Sequence, residues 1–280
     1  LDSLFPTFKI EKNPMKKTLK TKIAFLIVFF SITSAFLAGG VIASLGTFYA
    51  QSYQKVITFA SFIVGQSLMV VPLVLYLKFK KLSIINSIRF KTLKSTTVSS
   101  IILFSLGIII LSDELDRIIQ FCIPAPEYIV NLNHLLKPES IFGGILLFLA
   151  VVILAPLGEE IIFRGFLQQI LEKQWKDSTR AVLFTALIFS LIHMNPYWFF
   201  QIYILGVFLG FLAWKTNSIV APLILHGLNN FIALLFSFSD PQNNSFYLWN
   251  GHVSPWILIP AALTIFFSFK QINALNTQKK

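Results

Sequence analysis

Apolar residues fall along this chain in long unbroken runs separated by short polar stretches, with the length of membrane-crossing helices and without the alternation of strands. Eight runs can be delimited, at approximately 22–47, 56–77, 97–111, 140–171, 180–194, 198–214, 218–238 and 255–270. A membrane barrel would show segments of about ten residues with alternating polarity, and these are absent. The predicted fold is therefore all-α, a polytopic bundle of about eight transmembrane helices. The third and fifth runs span only about 15 residues and would have to tilt or pack against neighbours. Pro156, Pro222 and Pro260 lie in or near apolar runs and are expected to kink their helices. The first run exceeds the roughly 7–15 residues of a secretory signal core, so it reads as a retained span.

Organisation follows from the same pattern. Residues 1–21 form a tail, in which Met15 with Lys16, Lys17 and Lys20 reads as the start of such a membrane protein. Residues 22–139 form a helical scaffold and an outer loop, 140–238 a helical core, and 239–280 a last loop, a last span and a second tail.

Composition narrows the function. Of 280 residues, 55% are hydrophobic and 12% charged, against roughly 25% charged in soluble domains. No water-facing enzymatic domain can be built from this set, so function must reside within the membrane. The net charge of +11 does not indicate nucleic acid, because the basic residues cluster beside apolar runs, where anionic lipid headgroups account for them. Residues 9–22 hold six Lys and one Glu, residues 78–94 hold five Lys and one Arg, and residues 112–140 carry a net −3. The positive-inside rule puts the first two in the cytoplasm and the third outside. Eight spans with both termini cytoplasmic satisfy every loop, which places the chain as a multi-pass protein of the cell membrane. The acidic outer loop, with Pro124, Pro126, Asn131, Asn133 and His134, is expected to hold a short interfacial helix. The single Cys122 excludes an internal disulfide.

The anomaly is a set of polar residues where lipid should be: Glu159, Glu160 and Arg164 in the fourth run, His193 at the fifth, and His226, Asn229 and Asn230 in the seventh. A charge near mid-bilayer costs at least about 2.5 kcal/mol, so such residues face the protein interior or a watery cavity. Glu160 and Arg164 share a helix face as an i,i+4 ion pair. Glu159 is turned about 100° from Glu160, so the two carboxylates are expected in different environments. Phe189 with His193, and His226 with Asn230, form further i,i+4 faces. Counted along their helices, Glu159, His193 and His226 lie roughly 12 to 20 Å from the cytoplasmic side, close enough to converge if the helices tilt.

A carboxylate and an imidazole in one watery pocket can orient a water and take its proton. A second imidazole with a carboxamide can hydrogen-bond the oxygen on which charge develops during attack on an amide. The same residues have a metal reading, because Glu159, His193 and His226 are the ligand types of some catalytic zinc sites, although His-x-x-x-Asn is not the His-Glu-x-x-His helix of zinc proteases. Structural roles compete with both: a buried ion pair, a helix-end histidine, interhelical hydrogen bonds. A transporter would also place carboxylates near breaks such as Pro156 and Gly158, but no paired broken helices are evident in two halves.

Three short motifs occur in order: EEIIFRGFL, with Glu159, Glu160 and Arg164; FSLIH, with Phe189 and His193; and HGLNN, with His226, Asn229 and Asn230. Together they make the chain resemble, over about residues 140–235, the CAAX protease and bacteriocin-processing (CPBP) family of intramembrane proteases, whose eukaryotic members include the Ras-converting endopeptidase. The resemblance implies a bundle with a polar intramembrane cavity open to the cytosol and the inner leaflet. It implies Glu159 as the base that activates water with His193, and His226 and Asn230 as the oxyanion-stabilising pair. Glu160 and Arg164 would support that geometry, with Phe189 and Asn229 beside them. It implies no required cofactor, with zinc as the alternative, and a membrane-associated or lipidated peptide or protein as substrate. The abundance of Lys, Asn, Ile and Phe suggests a low-GC bacterium, in which prenylated CAAX proteins are not the expected native substrates. A transporter and a non-enzymatic immunity or scaffold protein are the competing functions.

Overall fold

The computed structural model describes residues 20–48, 51–129, 137–238 and 246–275. Helices form where the apolar runs lie because lipid offers no partner to a backbone N–H or C=O, and a helix satisfies both internally. In chain order they are α1 (Thr21–Gly46), α2 (Gln51–Met69), α3 (Val71–Phe79), α4 (Ile84–Ser87) and α5 (Ser95–Cys122). A long α6 (Ile141–Trp175), α7 (Ser178–Ile192), α8 (Phe199–Thr216), α9 (Val220–Phe238) and α10 (Pro255–Asn273) follow. Between α9 and α10 lies a small antiparallel ribbon, β1 (Leu248–Trp249) and β2 (His252–Val253). Among the described residues, seven helical stretches are long and apolar enough to cross a membrane, α2 and α3 counting as one, and α7 is a shorter eighth apolar helix. The chain is thus an all-α, multi-pass membrane protein.

Its burial pattern is inverted relative to a soluble protein. Phe29, Leu37, Leu75, Ile141 and Phe267 are exposed on the outside, whereas Glu160, Arg164 and Gln168 are wholly buried. The first two helices pack through small residues. A Cβ on Gly65 of α2 would lie 2.9 Å from the Ala35 carbonyl oxygen, and one on Gly39 of α1 would lie 3.3 Å from that of Ser61. Ala35 and Gly39 face Ser61 and Gly65 as paired small-xxx-small motifs that let the backbones approach.

The third span departs from the sequence expectation. The helix does not stop near residue 111 but runs to Cys122, carrying Asp113, Glu114, Asp116 and Arg117, which the sequence places in the loop. Each carboxylate there has a partner. Asp113 accepts from Arg117 Nε at 3.0 Å and Tyr247 Oη at 2.9 Å, and Glu114 accepts from Val253 N at 2.7 Å and pairs with His252 Nδ1 at 2.8 Å. Gln201 of α8 donates to Asp116. The ribbon is thereby clamped on the acidic end of α5, its turn made by Asn250 and Gly251, both at positive φ. Burial, and then the Asp113 carboxylate, push the Tyr247 phenol up, so it remains a hydrogen-bond donor. Of the expected interfacial helix, residues 127–129 are helical, while Asn131, Asn133 and His134 lie outside the described residues.

The prolines behave differently from one another. Pro222 is the third residue of α9, in the first turn, where its missing N–H has no intrahelical partner to lose, so its position does not require a kink. Pro260 lies inside α10. The basic loop 78–94 is not a free excursion. It contains α4, its Lys91 and Arg89 carbonyls accept from Ser218 Oγ at 2.6 Å and Ile219 N at 3.1 Å, and the Arg89 side chain is buried. This loop packs against α6 and the start of α9.

Candidate active site

The site is built on α6, which is not a regular α-helix. Two stretches, Leu149–Leu154 and Ile161–Gln168, are π-helical and flank Ala155–Glu160. Pro156 explains the first. In the wider turn the Ala155 N–H bonds the carbonyl of Ala150, so the next carbonyl, Val151, would be served by residue 156, and proline has no N–H. Asn230 of α9 supplies the missing donor: its Nδ2 lies 2.9 Å from Val151 O. A proline on one helix and an asparagine on another are two halves of one device that ties α9 to α6 beside the acidic pair.

The side chains singled out in sequence converge. Glu159 Oε2 lies 4.0 Å from His193 Nε2 and 3.8 Å from His226 Nε2. On the next position Glu160 Oε1 accepts from Arg164 Nη1 at 3.0 Å and contacts His226 Nδ1 at 2.8 Å. The expectation that the adjacent carboxylates occupy unrelated environments therefore needs correction, because His226 stands between them and offers one ring nitrogen to each. Phe189 is the common wall. Its ring lies 4.8 Å from that of His193 and 5.9 Å from that of His226, with the Arg164 guanidinium 4.1 Å over its face. Asn229 donates to Asn230 Oδ1 at 3.3 Å.

Hydrogen-bond logic fixes the imidazoles. His193 caps the end of α7 and its Nδ1 lies 2.7 Å from the Phe189 carbonyl, which only accepts, so Nδ1 carries the proton. At His226 the acceptor is Glu160 Oε1, the same oxygen that accepts from Arg164, so Nδ1 is again the donor. In the neutral rings both Nε2 atoms are then lone pairs, and both face Glu159. That carboxylate's Oε2 is buried and has no hydrogen-bond partner among the described residues. Glu159 Oε2 and His193 Nε2 converge as acceptors, and they require a donor between them. His193 is the accessible member, its side chain 30% exposed against 5% for His226.

A metal would also satisfy converging lone pairs, and two histidines held at Nδ1 plus a carboxylate are donors that suit zinc. The spacing is less suitable. Ligands around one tetrahedral zinc lie about 3.3 Å apart, given bonds of roughly 2.0–2.1 Å, and among the described residues no group of three such side chains is spaced to hold a metal ion.

Four residues near this site do not stand out in the sequence. Gln168 and Glu172 continue the Glu160–Arg164 stripe at four-residue steps, and that spacing is the signal that could have found them. Arg89 reads only as loop charge. Gln66 lies in a span that reads as scaffold, yet its Oε1 would be 3.8 Å from a Cβ on Gly158.

Fold and site together define a polytopic helical membrane protein with a carboxylate–imidazole centre buried among its helices. Residues 141–232 match the family model described as type II CAAX prenyl endopeptidase Rce1-like. Over those residues the chain is similar to that family, in agreement with the CPBP resemblance of its three motifs. No curated protein and no solved structure matches the chain.

Proposed function

We propose that this protein is an intramembrane endopeptidase that hydrolyses a peptide bond in a membrane-associated peptide or protein, with a water activated by Glu159 and His193 as nucleophile. The observation that carries the reading is the convergence of Glu159, whose buried Oε2 has no hydrogen-bond partner among the described residues, with His193 Nε2 at 4.0 Å and His226 Nε2 at 3.8 Å. A water bonded to Glu159 and His193 at about 2.8 Å from each fits between atoms 4.0 Å apart. Its free lone pair then points away from both.

In the reaction the water oxygen bonds to the substrate carbonyl carbon and its proton passes to Glu159. Negative charge moves to the former carbonyl oxygen. His226 meets that charge as the imidazolium, with Nδ1–H on Glu160 and Nε2–H on the oxyanion, since a neutral ring with Nδ1 protonated has no donor left at Nε2. The second N–H of Asn230 serves the same oxygen, the first being engaged on Val151. Collapse of the tetrahedral intermediate breaks the C–N bond, and the proton on Glu159 goes to the departing amine. The basic loop and both termini lie in the cytoplasm in this reading, and the substrate approaches from that side.

Purified protein in lipid nanodiscs, given a lipid-anchored fluorogenic peptide, should cleave it, and Glu159→Gln and His193→Ala should abolish cleavage. Ion- or solute-dependent flux in vesicles without cleavage of any membrane-anchored peptide would overturn the reading in favour of transport.

A further inference from the structure

The polar stripe that carries Glu160 and Arg164 continues past the site. Four residues on, Gln168 is wholly buried, and its Nε2 donates to Gly210 O of α8 at 2.9 Å and to Glu172 Oε1 at 2.8 Å. Four residues before Gln168, Arg164 Nη2 donates to Gly206 O at 3.2 Å. Donors on α6 and acceptors on α8 both step by four, so the two contacts are rungs of one ladder that admits a single register between the helices. Glycine is needed on the α8 side, since a Cβ at residue 210 would meet both Gln168 Oε1 and Val182 at 2.9 Å. The ladder ends on the basic loop, where buried Arg89 places Nη1 3.2 Å from Glu172 Oε1 and Nη2 on Glu172 Oε2. Gly165, between the rungs, is pressed against the same loop, a Cβ there falling 2.7 Å from Ile88 O.

The segment so pinned is the π-helical stretch Ile161–Gln168. Wide turns have poorer internal hydrogen bonds than an α-helix and occur as local adjustments, so their register needs external support. A slip of one residue would carry Glu160 about 1.5 Å along the axis and 100° around it, away from His226.

We propose that Gln168, Glu172 and Arg89 are positioning residues, which hold the π-helical stretch of α6 between α8 and the basic loop so that Glu160 stays in register with His226. This rests on the peptidase reading for its effect on turnover. None of the three touches substrate. Their removal lowers kcat and leaves KM unchanged, because the binding surface is intact while the acidic pair is misplaced.

The test uses the full chain in nanodiscs, a lipid-anchored fluorogenic peptide, and hydrogen exchange over residues 161–172. Gln168→Leu should lower kcat by about tenfold or more, the scale expected for displacement of a reacting group, with KM within about twofold, and exchange in 161–172 should quicken. Gln168→Met, close in size and without a donor, should behave alike. Arg89→Glu and Glu172→Arg should each lower kcat, and the double exchange should restore it to within about threefold. Wild-type kcat and exchange in Gln168→Leu would overturn the proposal, as would a double exchange that restores thermal stability without restoring kcat. If wild-type and Glu159→Gln proteins act on the peptide alike, the peptidase reading fails by itself, and unchanged exchange in Gln168→Leu would then sink the ladder independently.

Discussion

Replacing Glu160 by glutamine separates charge from shape at the centre of the site. Both contacts of Glu160, from Arg164 at 3.0 Å and His226 at 2.8 Å, land on Oε1, and Oε2 has no partner among the described residues. A glutamine with its carbonyl oxygen in the Oε1 position keeps both acceptor contacts and loses only the negative charge. Arg164 then becomes a wholly buried guanidinium whose partners, the glutamine oxygen, the Gly206 carbonyl and the face of Phe189, all lack charge. Removing one member of a buried pair costs about 3–5 kcal/mol. The retained acceptor and a desolvated cation–π contact of about 2 kcal/mol argue for the low end, about 3 kcal/mol. That is a large share of a total stability of about 5–15 kcal/mol. Unfolding by SDS in mixed micelles, followed by tryptophan fluorescence, measures it. Glu160→Gln and Arg164→Met should each lose about 3 kcal/mol, and the double variant should lose no more than either, a coupling of about 3 kcal/mol in the cycle. Folded Glu160→Gln should also turn over slowly, because His226 has lost the charged partner that holds its Nδ1. Strictly additive losses would refute the energetic argument, and full turnover in Glu160→Gln would refute the role given to His226.

Glu159→Gln should cut peptide turnover by about 100-fold or more without the stability loss of its neighbour, since Glu159 holds no close ion pair with Arg164; equal destabilisation of the two variants would reverse the division of labour. Asn230→Ala should cost about 1–3 kcal/mol by stranding the Val151 carbonyl, and less in a Pro156→Ala background, where residue 156 regains an N–H; the same cost in both backgrounds, by the same unfolding assay, would refute the pairing of proline with asparagine. On a Cys122→Ser background, a cysteine at Lys81 should react with impermeant maleimide only from the cytoplasmic side, and labelling from outside would overturn the topology. Metal analysis of active protein should find no stoichiometric zinc, and turnover should persist after chelation; one zinc per chain, lost with Glu159→Gln, His193→Ala or His226→Ala, would replace the water-and-glutamate mechanism with a metal site.

The parts of the molecule that are legible in sequence are those set by a local period or by lipid. Unbroken apolar runs give the eight helices, since hydrocarbon permits little else, and i,i+4 spacing alone pairs Glu160 with Arg164 and Phe189 with His193. The departures share a cause, which is that a tertiary partner changes the meaning of a residue. Asp113, Glu114 and Asp116 look like loop because most of their hydrogen-bond partners are distant in sequence; Tyr247, His252 and Gln201 supply them from elsewhere in the chain. The adjacent glutamates look separated by their 100° turn, and His226 joins them because an imidazole has two nitrogens on opposite edges.

The π-turns carry this furthest. Pro156 reads in sequence as a helix breaker and Asn230 as part of a motif, and neither alone implies the other. With the Ala155 N–H bonded to Ala150, the Val151 carbonyl is orphaned by the proline ring, and the carboxamide 79 positions along the chain becomes a structural necessity as well as a chemical candidate. The same logic applies at the second wide stretch, where Gln169 Nε2 donates to the Gly165 carbonyl at 2.9 Å and Gln168 reaches across to α8. Two side-chain amides, those of Asn230 and Gln169, thus bond α6 carbonyls within its two irregular stretches. A helix that holds two carboxylates against two histidines in a medium without water cannot be left to find its own register, and these amides, with the buried Arg89–Glu172 pair behind them, are what removes the alternatives.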